Sequence, residues 1–372
     1  MRIVARTKDF KKALGIGAQF AGKNKIIPAL SNVKITTKDN RIKFESSDQH
    51  NFMRKFGVLI SCDQDGSFLV DYSALNGYVS LIPAEEFVMY VDFTTLQMTI
   101  KHDMGEFSMP ILKSETFPEF PQSTESKRIQ IEAGLFADWC SIAQLYAARD
   151  EFKPQMSGMH IFIKDGEIGY CATDAHTLAT DKVKYYGEPV EDFGVTLDIT
   201  SLRAIQQLLK MENDTDNFTL ELTDKNAFVK AGTSTVVCRL TEGAYPNFRA
   251  VIPQENDREV RFAKDDMANA LKRASMAAPN TFLCKMNIEP GNISITMEDL
   301  DFAKKTEDKV PATTTDNLII GVNWQKLLSV LEGIDSDSVV CKLSNESRPL
   351  LFHEDSKESN KTILLMPMML NK

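Results

Sequence analysis

Hydrophobic and polar positions along the chain fall into short runs with two periods. Phe10, Leu14, Gly17 and Phe20 recur near helical spacing after Thr7, which is placed to cap that helix, and a loop carrying Lys23 and Lys25 follows. The runs 28–35 and 41–48 then alternate around a turn at Lys38-Asp39-Asn40, the pattern of a two-stranded hairpin. A second helix is expected from Asp71 through Leu75, Tyr78, Val79 and Ile82. Further strands lead to the run 107–112 and a stop at Phe117-Pro118-Glu119-Phe120-Pro121.

The same order recurs. Leu135, Trp139, Ile142 and Ala143 mark a helix ending near Arg149, 159–168 reads as a hairpin, Asp198 opens the next helix, and 239–248 closes the unit. A third pass begins at 264–271, opens its second helix at Asn323 and ends at 366–370. Val70-Asp71, Leu197-Asp198 and Val322-Asn323 thus repeat about every 126 residues, a period that means repeated domains and not a solenoid. Each unit should hold two helices and about eight short antiparallel strands with one wet face. The expectation is an α+β chain of three domains, 1–125, 126–255 and 256–372, with polar boundaries near 122–127 and 254–258.

Composition adds limits. A chain of 372 residues fits two or three domains, and 43% hydrophobic with 26% charged residues is the balance of a soluble globular protein. There is no apolar run long enough to span a membrane, and Met-Arg-Ile-Val-Ala-Arg-Thr-Lys lacks the apolar centre of a signal peptide, so the cytoplasm is expected. The six Cys are scattered without a Cys-x-x-Cys pair, as buried thiols in a reducing compartment would be. The five His are equally scattered, so neither a metal nor a cofactor is expected.

Net charge is −9, from 43 basic and 52 acidic residues, which argues against a protein coated in nucleic acid but leaves room for a local basic surface. Lys8, Lys11, Lys12, Lys23, Lys25, Arg149, Lys153, Arg203, Lys210, Lys264, Lys272, Arg273 and Lys326 lie on or just after expected helices, at similar points in the three units. A shared cationic surface would hold double-stranded nucleic acid by charge and shape. Gly15-Ile16-Gly17 lies inside a helix pattern without a third Gly, so it is not a phosphate loop.

Candidate chemistry centres on 168–179. Ile168, Tyr170 and Ala172 alternate with Gly169 and Cys171 as a half-buried strand, and Thr173-Asp174-Ala175 then turns the chain, with Asp174 placed to accept amide hydrogens two or three residues on. This reads as a presented surface. Asp174 and His176 also fit a carboxylate orienting an imidazole, as in a hydrolase, but no Gly-x-Ser-x-Gly nucleophile accompanies them.

The segments Pro28-Ala29-Leu30-Ser31-Asn32-Val33, Phe117-Pro118-Glu119-Phe120-Pro121, Ala172-Thr173-Asp174-Ala175-His176-Thr177-Leu178-Ala179, Tyr245-Pro246-Asn247-Phe248-Arg249-Ala250-Val251-Ile252-Pro253 and Met366-Pro367-Met368-Met369-Leu370 resemble, in order and from end to end, the bacterial β sliding clamp family. The resemblance implies a non-catalytic processivity factor of the replicative DNA polymerase, without cofactor, in which each chain is half of a closed ring. On that resemblance two chains would join head to tail as a homodimer, helices would line a hole for duplex DNA without sequence preference, and sheets would form the rim. It also implies a pocket for short hydrophobic peptides of the polymerase, the clamp loader and repair proteins.

By position that pocket would include Thr173, Ala175, His176, Leu178, Pro246, Val251, Leu364, Met366, Pro367 and Met368. Lys12, Lys23, Lys25, Arg149, Lys153, Arg203, Lys210 and Lys272 would face DNA, and Phe107 and Met276 would lie at the junction between chains. The sequence departs from the family pattern at Ala175, where Gly is usual, at Thr177 and Ala250, where Arg is common, and at Met369, where Arg commonly precedes the final Leu. The rim is therefore expected to be less basic and more apolar, with flexible Met side chains able to suit several peptides.

Overall fold

Each repeat is built in one order: a strand, a helix, four strands, a second helix and three strands, with two extra two-residue strands in the first repeat. This is seen in a computed structural model that describes all residues except 23–25, 124–126, 150–151, 213–215, 277–280, 300–302, 357–358 and 371–372. The helices are α1 (Thr7–Gly17), α2 (Tyr72–Leu81), α3 (Ala133–Tyr146), α4 (Ile199–Met211), α5 (Lys264–Ser275) and α6 (Trp324–Glu332).

The recurring Asp or Asn marks a helix start for a physical reason. The Asp71 carboxylate accepts the Ala74 N–H at 2.7 Å, and the Asn323 side-chain oxygen accepts those of Gln325 and Lys326, which gives partners to amides that the first turn leaves unpaired. α4 begins directly after Asp198. The expected cap at Thr7 is not formed: Arg6 is the flanking residue, while Thr7 is buried and its hydroxyl donates to the Ala84 carbonyl at 2.7 Å. α3 stops at Tyr146, short of Arg149, where the Tyr146 hydroxyl donates to the Ser329 carbonyl at 2.8 Å. The turn at Asp39-Asn40 places both residues at positive φ (50° and 56°), as a two-residue hairpin turn requires.

The chain divides into two compact units, Met1–Ala137 with Thr200–Leu240, and Asp138–Ile199 with Thr241–Lys372. In the first unit the strand Asn51–Val58 of the first repeat pairs antiparallel with Ser234–Arg239 of the middle repeat, within a nine-stranded sheet. A five-stranded sheet completes that unit, with Gly105–Pro110 at its edge, and Phe10 of α1 meets Phe44 and Phe87 edge-on at 5.1 and 5.0 Å. In the second unit Thr177–Lys184 of the middle repeat pairs with Thr362–Leu365 of the third, within a twelve-stranded sheet. The last strand of one repeat therefore extends the sheet of the repeat before it. A division by packing consequently runs through the middle repeat and not between repeats.

Candidate functional site

The turn after the strand Glu167–Thr173 is fixed by Asp174. One carboxylate oxygen accepts the N–H groups of His176 (2.9 Å) and Thr177 (2.7 Å) and the Thr177 hydroxyl (2.8 Å), and the other is paired with Lys326 of α6. Burial opposes the charge on Asp174, but the bonds from Lys326, Thr177 and His176 outweigh it and hold the carboxyl below its ordinary range. Asp174 meets His176 through the backbone N–H, so the carboxylate does not orient the imidazole as a hydrolase would need. Ala175 sits at φ 75°, a left-handed conformation that costs a residue with a Cβ about 1 kcal/mol.

The strand leading into the turn is not half-buried. Ile168 to Thr173 are buried on both faces. On one face Tyr170 packs against Trp139 of α3 with ring centroids 5.4 Å apart. On the other, Cys171 joins Phe162, Leu178, Phe248, Leu351 and Leu364 in an apolar cluster, with Tyr245 and Ile252 packed against it. Gly169 leaves room for this cover, since a Cβ there would lie 2.6 Å from the Phe162 ring. The Tyr245 hydroxyl donates to the Cys171 carbonyl at 3.3 Å, and its ring stacks on His160 at 4.4 Å. Burial, aided by the Arg249 charge, pushes the His160 pKa down to about 4, so this stack is neutral at pH 7.

The residues expected to line a pocket separate into a floor and a rim. Leu178 and Leu364 face each other across the strand pairing and are each 2% exposed, and Thr173 is also buried. Ala175, His176 and Pro246 are exposed, Val251 is 52% exposed at the end of the short helical turn Phe248–Val251, and Met366 is 37% exposed. Pro367 and Met368 are half-buried. The Met366 N–H donates to the His176 carbonyl at 2.8 Å, which lays the segment after Leu365 directly against the turn.

The first repeat contains the same turn. Asp48 accepts the N–H groups of His50 (3.0 Å) and Asn51 (2.7 Å), and Gln49 takes positive φ (89°) where Ala175 does. Its apolar cluster is Phe52, Phe228 and Val237 with Phe120 packed on it, the Arg54 guanidinium lying 3.7 Å from the Phe120 ring centroid. None of the exposed large apolar side chains among the described residues belongs to that turn, to 117–123 or to 239–242. The turn is thus a feature of the repeat. What distinguishes its second copy is the exposed apolar rim of Val251 and Met366.

Elsewhere, Lys12 of α1, Arg203 and Lys210 of α4, Lys272 of α5, and Arg149 and Lys153 after α3 are exposed. Lys23 and Lys25 lie outside the described residues. Several cations expected on the shared surface are committed elsewhere: Lys326 to Asp174, Arg273 to Asp308 at 2.6 Å, Lys264 to the Ile334 carbonyl at 3.1 Å and Lys11 to the Ser80 carbonyl at 3.3 Å. Phe107, on the edge strand, stacks on Tyr78 at 4.5 Å, and Met276 is 81% exposed just beyond α5. Among the described residues, no group of three or more His, Cys, Asp or Glu could hold a metal ion.

Family models for the DNA polymerase III beta subunit match almost the whole chain, the N-terminal domain at 1–121, the central domain at 130–247 and the C-terminal domain at 249–369. Curated relatives include a beta sliding clamp of Rickettsia bellii, 25% identical and covering 96% of this chain and 97% of that protein. Another, from Bacillus subtilis, is 22% identical and covers 98% and 97%. Among solved structures, a DNA polymerase sliding clamp from Pseudomonas aeruginosa with ligand superposes with a TM-score of 0.93 at 20% identity, and a sliding clamp from Bartonella birtlesii bound to griselimycin with 0.90 at 24%, each covering 100% of both chains.

Replacing Asp174 by Asn should cost about 2 kcal/mol, because it removes a charged partner from several hydrogen bonds. The folded pKa is depressed, so this contribution is present above the ordinary carboxylate value and is lost as pH falls through the folded one. Denaturant melts of both proteins should show a gap at pH 7 that closes in acid, and a gap unchanged down to pH 2 would contradict this.

Proposed function

The chain belongs to the DNA polymerase III beta subunit family, and from that premise we propose how it acts as a DNA sliding clamp. It is a non-catalytic processivity factor: it encircles duplex DNA and tethers the polymerase through a hydrophobic peptide-binding cleft. The observation that carries the cleft assignment is the exposed apolar rim at the second copy of the turn and its lack at the first. Ala175, His176, Pro246, Val251 and Met366 form the mouth over a floor of Leu178 and Leu364, with Thr173, Pro367 and Met368 as its walls. An extended peptide with apolar side chains at alternate positions fits such a site. The clamp loader and repair proteins are proposed to use the same cleft, and griselimycin, carried by the Bartonella birtlesii relative, is a ready probe for it.

The three domains are proposed to run over 1–125, 126–255 and 256–372. Exposed cations at Lys12, Arg149, Lys153, Arg203, Lys210 and Lys272, with Lys23 and Lys25, would balance phosphate charge without reading bases, while the −9 body discourages adhesion elsewhere. No helix among the described residues is long and apolar enough to cross a membrane, and we place the protein in the cytoplasm.

Repetition supports the homodimer. Within the chain, the last strand of the second and third repeats pairs with Asn51–Val58 and Thr177–Lys184 of the repeat before. By the same rule Gly105–Pro110 of the first repeat would pair with Lys304–Thr313 of a third. Among the described residues both strands keep an open edge: Gly105–Pro110 ends its sheet, and Lys304–Thr313 meets a second neighbour only at Ala312 and Thr313. Two chains joined head to tail close both edges at once, with Phe107 and Met276 at the junction.

Met366→Ala should weaken binding of a short fluorescein-labelled peptide with alternate leucines, and of griselimycin, by about ten- to a hundredfold. His176→Gln should keep substantial tethering in a polymerase processivity assay, since no proton transfer is involved. Full binding by Met366→Ala, or lost processivity in His176→Gln with peptide affinity intact, would refute the assignment. For the dimer, sedimentation at micromolar concentration should give twice the chain mass, and Phe107→Asp should shift it towards the monomer. A monomeric parent protein would sink the ring.

A further inference from the structure

Beyond the sheet, the segment after Leu365 is held at two points. The Met366 N–H donates to the His176 carbonyl at 2.8 Å, Pro367 has no N–H to offer, and the Met368 N–H donates to the Gly321 carbonyl at 2.7 Å as a single antiparallel bridge. Gly321 lies in Leu318–Asn323, the strand that ends the twelve-stranded sheet. A Cβ there would stand 2.6 Å from the Met368 carbonyl oxygen and 3.0 Å from side-chain carbons of Leu283 and Leu370. The closest of these is backbone, so a side chain at 321 can be accommodated only by moving the segment. Two residues on, Asn323 caps α6, and Lys326 in that first turn holds Asp174.

We propose that Gly321–Lys326 is a bracket that positions both sides of the cleft: Gly321 sets where the C-terminal segment lies, and Lys326 sets the Asp174 turn. Gly321 is on this account a positioning residue for peptide binding, acting through Met368 and Met366 without touching the peptide. The proposal rests on the peptide-binding reading of the cleft.

The test compares the parent chain, Gly321→Ala, a chain ending at Pro367, and the two changes combined. Two readouts are used, titration with griselimycin and hydrogen exchange at the Met366 amide. Gly321→Ala should weaken griselimycin about tenfold and speed exchange at Met366. In the shortened chain the obstructing carbonyl and Leu370 are gone and only the flexible Leu283 side chain stays close, so adding Gly321→Ala should change affinity and melting temperature far less than it does in the full-length chain. A further loss of the same size in the shortened chain would mean that residue 321 acts through general stability, and would overturn the proposal. So would unchanged exchange at Met366 in full-length Gly321→Ala. If the parent chain fails to bind griselimycin, the peptide-binding reading falls, while the exchange comparison still decides whether Gly321 positions the segment.

Discussion

Antiparallel pairing between the last strand of one repeat and the third of the four central strands of the repeat before it is the interaction on which the rest depends. It occurs twice within the chain, between Ser234–Cys238 and Asn51–Lys55, and between Thr362–Leu365 and Thr177–Thr180. Each pairing satisfies backbone groups that an edge strand would leave open and joins two repeats through a continuous sheet. The second pairing also underlies the proposed cleft. It brings Leu364 opposite Leu178 and delivers Met366 to the carbonyl of His176 in a turn far away in sequence.

Repetition provides an internal control on function. The Asp48 and Asp174 turns share their backbone hydrogen bonds, their positive φ and the His two residues after the Asp. An Asp-x-His pattern that recurs in this way is a turn-forming device, and its carboxylate is consumed by backbone amides in both copies. The difference lies in what surrounds each turn. An arginine lies over the covering aromatic beside each turn, Arg54 on Phe120 and Arg249 on Phe248, but exposed large apolar side chains, Val251 and Met366, stand only beside the second among the described residues. One scaffold thus carries an apolar mouth at only one of two equivalent places.

Much of the architecture was legible because its determinants are local. Helix starts at Asp71 and Asn323 rest on a side chain meeting amides two or three residues on, and the hairpin at Asp39-Asn40 on residues that tolerate positive φ. The order of elements could therefore be read in all three repeats. The burial of Ile168–Thr173 could not, because Gly169 and Cys171 resemble a bare face until Phe162, Tyr245 and Phe248 arrive to cover it. Lys326 looked like one more surface cation because its partner, Asp174, lies 152 residues away. Gly321 carried no sign of its role, since the backbone that approaches it comes from another part of the chain. Floor and rim were likewise merged in sequence: Leu178 and Leu364 read as binding residues but lie beneath the residues that are exposed.

The central claim is topological: the protein stays on DNA by surrounding it and not by adhering to it. The most direct measurement is retention after loading onto nicked circular DNA, with a matched sample cut once by a restriction enzyme. The account predicts protein that remains on the circle through gel filtration at high salt and is lost when the circle is linearised, since an encircling ring needs no ionic contact to persist. Equal retention on circular and linear DNA, or loss from both as salt rises, would contradict it.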